Sequence, residues 1–378
     1  MSRAREFADL AGSADAGGIT GRNLIINGAM QVAQRGTVTG LTSGNYGGPD
    51  RIKTQPSGLG TWTVEKSTDA PDGFSNSYKL TCTTADSSPA AGDYIQIRFI
   101  TEGQNVQQLD YGSSGALATT ISFYVKSSKT GTFTYVLRTF DSGAGTRLFS
   151  KNVTISSANT WEYKTVTAPG DASGAINNDN TMGLDAAFWL NAGSSFSGGS
   201  EQTTWANQNN VDKYLGTIDL GNATGETFQI TGVQLEVGEQ ATPFEHRSFH
   251  DELRRCKRYF ERFAKTLTSL GQASEANCGL WSGMSRSGNS GNNQGVMTYQ
   301  TKRTNPSISV SSAAHINGVF PISPFAASLS SFGIDGNAGI DNCFVNAANN
   351  ASTAPSSDCG SSGVMGNSSG TLDIDAEL

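Results

Sequence analysis

The chain has 378 residues, enough for two or three domains, with 45 glycines, 36% hydrophobic and only 16% charged residues. Its formal net charge of -7 excludes partners that need clustered Lys and Arg, so nucleic acid and anionic membrane are set aside. The aromatic content, 18 Phe, 10 Tyr and 5 Trp, excludes a disordered chain, because so many rings must be buried.

Abundant Gly, Ser, Thr and Asn supply tight turns, and with the buried rings they predict an all-β protein of short strands. No apolar run approaches the ~20 residues of a spanning helix, and the first residues lack a signal-type hydrophobic region. The expectation is a soluble protein made in a cytoplasm, without membrane insertion. Cys82, Cys256, Cys278, Cys343 and Cys359 form an odd set without a C-x-x-C pair, which favours reduced, buried thiols over zinc or a disulfide framework.

In chain order, residues 1–22 read as an N-terminal arm, a short helical start at 3–10 followed by Ala/Gly/Ser/Asp linker chemistry. It is either an arm that docks on a neighbouring protein or a frayed end. Residues 23–28 read as a strand closing on the Asn27-Gly28 turn. Further strands are predicted at 61–66, 78–83, 94–100, 119–126, 132–139, 147–155, 161–167, 183–190 and 227–237. Phe133, Tyr135 and Leu137 alternate as one buried face of a half-buried strand. No helical pattern interrupts this series, so 23–247 is predicted to be a jelly-roll β-sandwich.

One amphipathic connector helix is predicted over 248–264, capped by Ser248, with Asp251 and Glu252 in its first turn. Phe249, Leu253, Cys256, Phe260 and Phe263 give its apolar spacing. Residues 265–378 return to β-texture as a smaller C-terminal β-domain, with strands at 299–310, 328–334 and 372–378. This domain is poor in large apolar side chains, which predicts that neighbouring copies stabilise it. No repeat of 20–50 residues is present, which argues against a β-helix.

Reactive groups are sparse. The three histidines are His246, His250 and His315, and the first two sit beside acids at the helix start, where the acids serve the helix dipole. Hydrolytic and phosphate-binding motifs are missing, so no catalytic residue and no cofactor is expected. Asp93, Glu102, Asp110, Asp141, Asp185, Glu226 and Glu236 are available carboxylates, but nothing selects a glycosidase pair among them. Asp171 and Asp179, with Asn177, Asn178 and Asn180, make an oxygen-rich stretch that suits either a structural calcium or a solvated turn.

The stretch 192–216 is a long Gly/Ser/Asn/Gln loop carrying Phe196, Trp205 and Tyr214. Rings among amides and hydroxyls suit sugar stacking, the alternative being that Trp205 folds back to plug the sandwich. Trp281 is a second candidate of this kind, whereas Trp62, Trp161 and Trp189 read as strand core.

Two stretches carry a resemblance. Residues 23–36, NLIINGAMQVAQRG, and 228–248, FQITGVQLEVGEQATPFEHRS, resemble the opening and closing strands of a carbohydrate-binding-module-like jelly roll in phage tail-fibre and virion structural proteins. CKRYF at 256–260 and DIDAEL at 373–378 are similar to that family's helix and final strand, and 299–310 to a strand of its distal domain. The resemblance implies a virion appendage assembled in the host cytoplasm, a homotrimer attached to other virion proteins through residues 1–22, with host surface polysaccharide as a partner. Alternatives are a head-decoration or collar fibre of purely architectural role and a capsule polysaccharide hydrolase. The matched motifs mark fold, and none of the family's site residues is carried over.

Overall fold

The structure is a computed structural model that describes residues 21–141, 143, 145–264, 279–285, 292–310, 316–320, 323–334, 338–349, 359–365 and 371–378. The helical start expected at 3–10, Cys278 and His315 lie outside the described residues. Two compact units emerge, one reaching to Leu253 and one spanning Arg254–Glu377.

In the first unit the strands are β1 (Val38–Leu41), β2 (Ile52–Ser57), β3 (Thr61–Ser67), β4 (Ser77–Thr84), β5 (Tyr94–Glu102), β6 (Thr119–Ser127), β7 (Gly131–Thr139), β8 (Arg147–Ile155), β9 (Glu162–Ala168), β10 (Met182–Ala192), β11 (Ala206–Asn207) and β12 (Thr227–Val237). They form two six-stranded sheets, one in the order β1, β3, β4, β12, β6, β9 and the other β11, β8, β7, β10, β5, β2. All pairings are antiparallel, giving the jelly-roll sandwich. The nine strands expected between 61 and 237 all form, with ends shifted by at most two residues.

Alternation drives this architecture. On β7 Phe133, Tyr135 and Leu137 point into the core, joined by Ile95, Ile97 and Phe99 from β5 and by Leu184, Ala186, Phe188 and Leu190 from β10. Phe188 is the centre, with its ring 4.8–6.0 Å from those of Phe99, Phe123, Phe133 and Tyr135. Phe123 comes from β6 of the facing sheet, so this cluster ties the two layers together; a ring so buried is worth about 3–5 kcal/mol against alanine. A hydrogen bond of 2.6 Å between the hydroxyls of Thr54 on β2 and Tyr78 on β4 adds a polar tie.

Residues 23–28 are not a strand. Asn23 and Asn27 divert the backbone: Asn23 Oδ1 accepts Ile25 N–H at 2.9 Å and Asn27 Oδ1 accepts Val32 N–H at 3.0 Å, while Asn27 takes a left-handed φ of 62°. The resulting turn docks on β12, where Leu24 N–H donates to Leu235 O and Val233 N–H to Gly28 O.

The connector helix is shorter than expected. Helix α1 spans Phe249–Lys257, capped as predicted by Ser248, whose Oγ accepts Asp251 N–H at 3.2 Å. Residues 260–264 leave the helical path and form a strand instead, β13 (Phe260–Ala264). They pair with the last strand, and the Arg262–Asp373 ion pair at 2.6 Å locks that register across a distance in sequence that local periodicity does not report.

The second unit contains β13, β14 (Gly279–Ser285), β15 (Asn292–Thr298), β16 (Ser307–Val310), β17 (Ile316–Phe320), β18 (Ser323–Ile334), β19 (Asn342–Asn349), β20 (Cys359–Met365) and β21 (Thr371–Asp375). Strands β13, β21 and β16 form a three-stranded sheet, and β14, β15, β19, β18, β17 and β20 close into a barrel, which leaves no free sheet edge. Of the strand expected at 299–310, only the last four residues pair, as β16. Met297, Tyr299, Cys343, Leu372 and Ile374 form a small core. Buried Lys302 is neutralised by Glu261 at 3.0 Å.

Among the described residues no helix is long and apolar enough to cross a membrane. Cys82 and Cys343 are buried free thiols.

Candidate functional site

The sequence-predicted ring residues divide into two places. Trp205 turns inward: it is 9% exposed, packs edge-on against Tyr111 and donates its indole N–H to Pro169 O at 2.6 Å. It plugs the sandwich, so it offers no face to a sugar. Phe196 and Tyr214 lie instead on the outer face of the second sheet, beside Trp189, which also points outward and is not part of the main core. Tyr214 is buried there, its hydroxyl donating to Asp219 Oδ1 at 2.7 Å, and Phe196 stays half-buried. Trp281 falls on β14, but its side chain lies outside the described ones.

The outer face of the second sheet is built by strict alternation. With Ile95, Ile97 and Phe99 inward, β5 must point Tyr94, Gln96 and Arg98 outward; β10 presents Asp185, Ala187 and Trp189, and β7 Thr134, Val136 and Arg138. Register aligns them in rows. Gln55, Gln96, Trp189 and Thr134 form one row, and Lys53, Arg98, Ala187 and Val136 the next. Asp185 sits opposite Arg138 in a third.

The loop after β10 is fastened over the β7 and β8 half of this face. Leu215 N–H donates to Thr134 Oγ1 at 2.8 Å, Asn152 Nδ2 to Leu215 O at 3.0 Å, and Gln202 N–H to Ser150 Oγ at 3.1 Å. Loop residues Phe196 and Lys213 are thereby laid against Trp189: the Phe196 ring is 5.5 Å from that of Trp189 and 5.1 Å from that of Tyr94, and Lys213 Nζ lies 5.7 Å from the Trp189 ring centre. The β5 and β2 half stays partly open, with Tyr94, Arg98, Gln55 and Lys53 half-buried.

Charge is concentrated here. Asp185 is fully buried and accepts from Arg98 Nη2 at 2.9 Å and from Arg138. Burial alone would raise its carboxyl, but the two guanidinium groups hold it below the ordinary aspartate value. Lys213 is pushed down to about 8, first by burial and then by the like charge of Arg138. Three buried polar atoms on this face have no hydrogen-bond partner: Trp189 Nε1, Gln96 Oε1 and Arg138 Nε. Buried polar groups are nearly always paired, so three orphans on one sheet face single it out as the candidate site.

The other candidates are engaged structurally. Asp171 is buried, with Arg147 Nε at 2.7 Å and Ser173 N–H at 3.0 Å, while half-buried Asp179 accepts from its own neighbour Thr181. Both carboxylates accept from protein donors, and among the described residues no group of three His, Cys, Asp or Glu converges. Glu226 pairs with Lys129, Glu236 accepts from Thr242, and Asp93 accepts Ala90 N–H. Glu245 caps the opening segment by accepting Gly21 and Asn23 N–H, and exposed His246 packs edge-on against Phe244. Motif residues 228–248 thus hold the fold together, as expected of them.

Trp161 is not strand core. It is half-buried outside the first sheet, bonded through Nε1 to Asp69 and covered by Lys126. Tyr124 and half-exposed Tyr163 pack 5.0 Å apart on the same face, Phe74 adjoins Tyr124, and Phe244 adjoins Phe74.

No protein-family model matches the chain, and no curated protein does. Among solved structures it is similar to the enzymatically active domain of bacteriophage CBA120 tailspike protein 4, at 13% identity over 57% of this chain and 21% of that one, TM-score 0.30. The chain therefore spans about a fifth of that tailspike domain's length. It is also similar to a family 11 carbohydrate-binding module from Clostridium thermocellum in complex with a mixed-linked tetrasaccharide (13%, 55% and 98% covered, TM-score 0.28). A third likeness is to a Clostridium thermocellum xylanase fragment, its family 22 binding module and catalytic module complexed with xylohexaose (12%, 59% and 30%, TM-score 0.29). Likenesses of this size leave function to be argued from the chain's own residues.

Proposed function

We propose that this chain is a structural, non-enzymatic subunit of a phage virion appendage, a tail fibre or baseplate-associated fibre, whose sandwich attaches to host-surface glycan through the outer face of its second sheet. The observation that carries the binding part is the group of orphaned polar atoms, Trp189 Nε1, Gln96 Oε1 and Arg138 Nε, beside the rings of Tyr94, Trp189 and Phe196. The half-buried rings of Tyr94 and Phe196, backed by buried Trp189, offer the apolar face of a sugar a stacking surface, and amide and guanidinium groups meet its hydroxyls. The virion assignment is supported by the resemblance of residues 23–36 and 228–248 to virion proteins. In a homotrimer held by residues 1–22, weak sites would act together by effective concentration.

The carboxylates support a non-enzymatic reading. Asp185, at the heart of the face, is clamped between two arginines that hold it ionised, which suits it poorly as a general acid.

The test of binding is affinity electrophoresis of the full chain through gels containing neutral and acidic polysaccharides. Tyr94→Ala and Phe196→Ala should abolish retention, while Tyr163→Ala, on the opposite sheet, should not. Loss on Tyr163→Ala alone would move the site to the first sheet, and no retention in any gel would remove glycan binding. A cryo-electron microscopy map of the intact particle decides position: a tail or baseplate trimer sustains the appendage assignment, and a capsid coat makes the chain a decoration protein.

A further inference from the structure

We infer that the site on the second sheet selects saccharides bearing an anionic group, a uronate carboxylate or an acidic ester. This rests on the glycan reading above and goes beyond it in naming the ligand's charge.

Positive charge gathers on this face. Arg98 on β5 and Arg138 on β7 both pair with Asp185 on β10, while Lys213 in the covering loop lies near them and beside Asp212, whose carboxylate accepts from Ser200 N–H and Gln202 Nε2. Lys213 is only 6% exposed, its ammonium donates to the neutral Asn210 Oδ1 at 2.7 Å, and among the described residues no ion pair opposes it. Three positive charges thus stand beside two carboxylates on this side of the sheet, and Lys213, under the loop, has no ion pair among the described residues, in a chain whose net charge is -7. Buried charge without a partner is costly, and proteins keep it chiefly where a ligand supplies the counter-charge.

The geometry fits one anionic group. Lys213 overhangs the rings of Trp189 and Phe196 at 5.7 and 5.5 Å, and Arg98 and Arg138 lie one and two rows further along the sheet, on β5 and β7. Between Asp185 and Trp189 the outward residue of β10 is Ala187, which adds only a methyl group. A sugar stacked on Tyr94 and Phe196 would carry its acidic substituent toward Lys213 and Arg138, whose Nε has no protein acceptor among the described residues. Guanidinium and ammonium groups both bind carboxylate and ester oxygens by charge-assisted hydrogen bonds.

The experiment pairs polymers that differ in charge. The full chain is run in gels containing polygalacturonate or its carboxyl-reduced form, and dextran sulfate or dextran. At least one anionic polymer should retain the chain ten times more strongly than its neutral partner, and the pair that responds tells carboxylate from ester. Retention should fall at least tenfold in Lys213→Gln and return in Lys213→Arg, each variant checked for folding by circular dichroism. Equal retention by both members of a pair would overturn the charge selectivity and leave glycan binding standing. Retention of anionic polymers undiminished in Lys213→Gln would overturn it too, by placing the recognition elsewhere. Retention by none of the four overturns it as well, and it removes the glycan reading only if the neutral panel is also empty.

Discussion

Gln96 and Trp189 are direct cross-strand partners on the outer face of the second sheet, and each carries a buried polar atom without a protein partner. A sandwich optimised only for stability would place apolar groups there, because a buried unpaired acceptor costs about 1–3 kcal/mol. Gln96→Leu is therefore expected to leave the melting temperature unchanged or raise it, while weakening polysaccharide retention. A lower melting temperature with retention intact would make Gln96 a purely structural residue.

Asp185 is the reverse case, a charge whose loss strands its partners. Asp185→Asn leaves Arg98 and Arg138 buried without their anion, and the cost should be about 3–5 kcal/mol, read by urea denaturation followed through sandwich tryptophan fluorescence. The pH dependence follows from the same pair. The Asp185 value is lowered in the fold, so its contribution is present above the unfolded aspartate value of about 3.9 and is lost as pH falls below it toward the folded value. The Asn variant should show a shallower loss of stability through that acid range.

The docked opening turn gives a backbone test. A Cβ on Gly28 would lie 2.1 Å from the Val233 carbonyl oxygen, and Val233 N–H donates to Gly28 O at 3.0 Å. Gly28→Ala must push the turn off β12 and should destabilise the sandwich by about 1–3 kcal/mol in the same denaturation assay. An unchanged midpoint would mean that the turn contributes nothing to the sandwich.

The sandwich was legible in the sequence because its strands alternate, as Phe133, Tyr135 and Leu137 do, and local pattern is what alternation writes. What failed was decided at long range. Residues 260–264 satisfy a helical spacing, yet Arg262 pairs with Asp373, more than a hundred positions away, and the strand wins. The site was half legible. Phe196 and Tyr214 sit on it, but Trp189 reads as core from its strand, since a two-sided burial pattern hides which face a ring takes. Arg98, Arg138 and Asp185 lie on three strands, and only the register brings them together; the signal available was charged residues standing inside otherwise apolar strands.

Lys213 joins site and stability through pH. The charged groups around it are Arg138 on β7, Arg98 on β5, Asp185 on β10 and its own neighbour Asp212, which accepts from Ser200 and Gln202 within the loop. Burial and Arg138 lower its value to about 8, against about 10.4 for lysine in an unfolded chain. Between these values the unfolded chain holds the extra proton, so this group makes the fold more stable as pH rises from about 8 toward 10.4 and has no slope below 8. Retention of an anionic polysaccharide has the opposite sign, because it needs the ammonium and should decline once pH passes about 8. Denaturation midpoints and affinity electrophoresis measured side by side from pH 6 to 10 should therefore diverge, and Lys213→Arg should remove both slopes. Parallel changes in the two measurements would show that retention merely follows folding and that Lys213 is not where the ligand's charge is met.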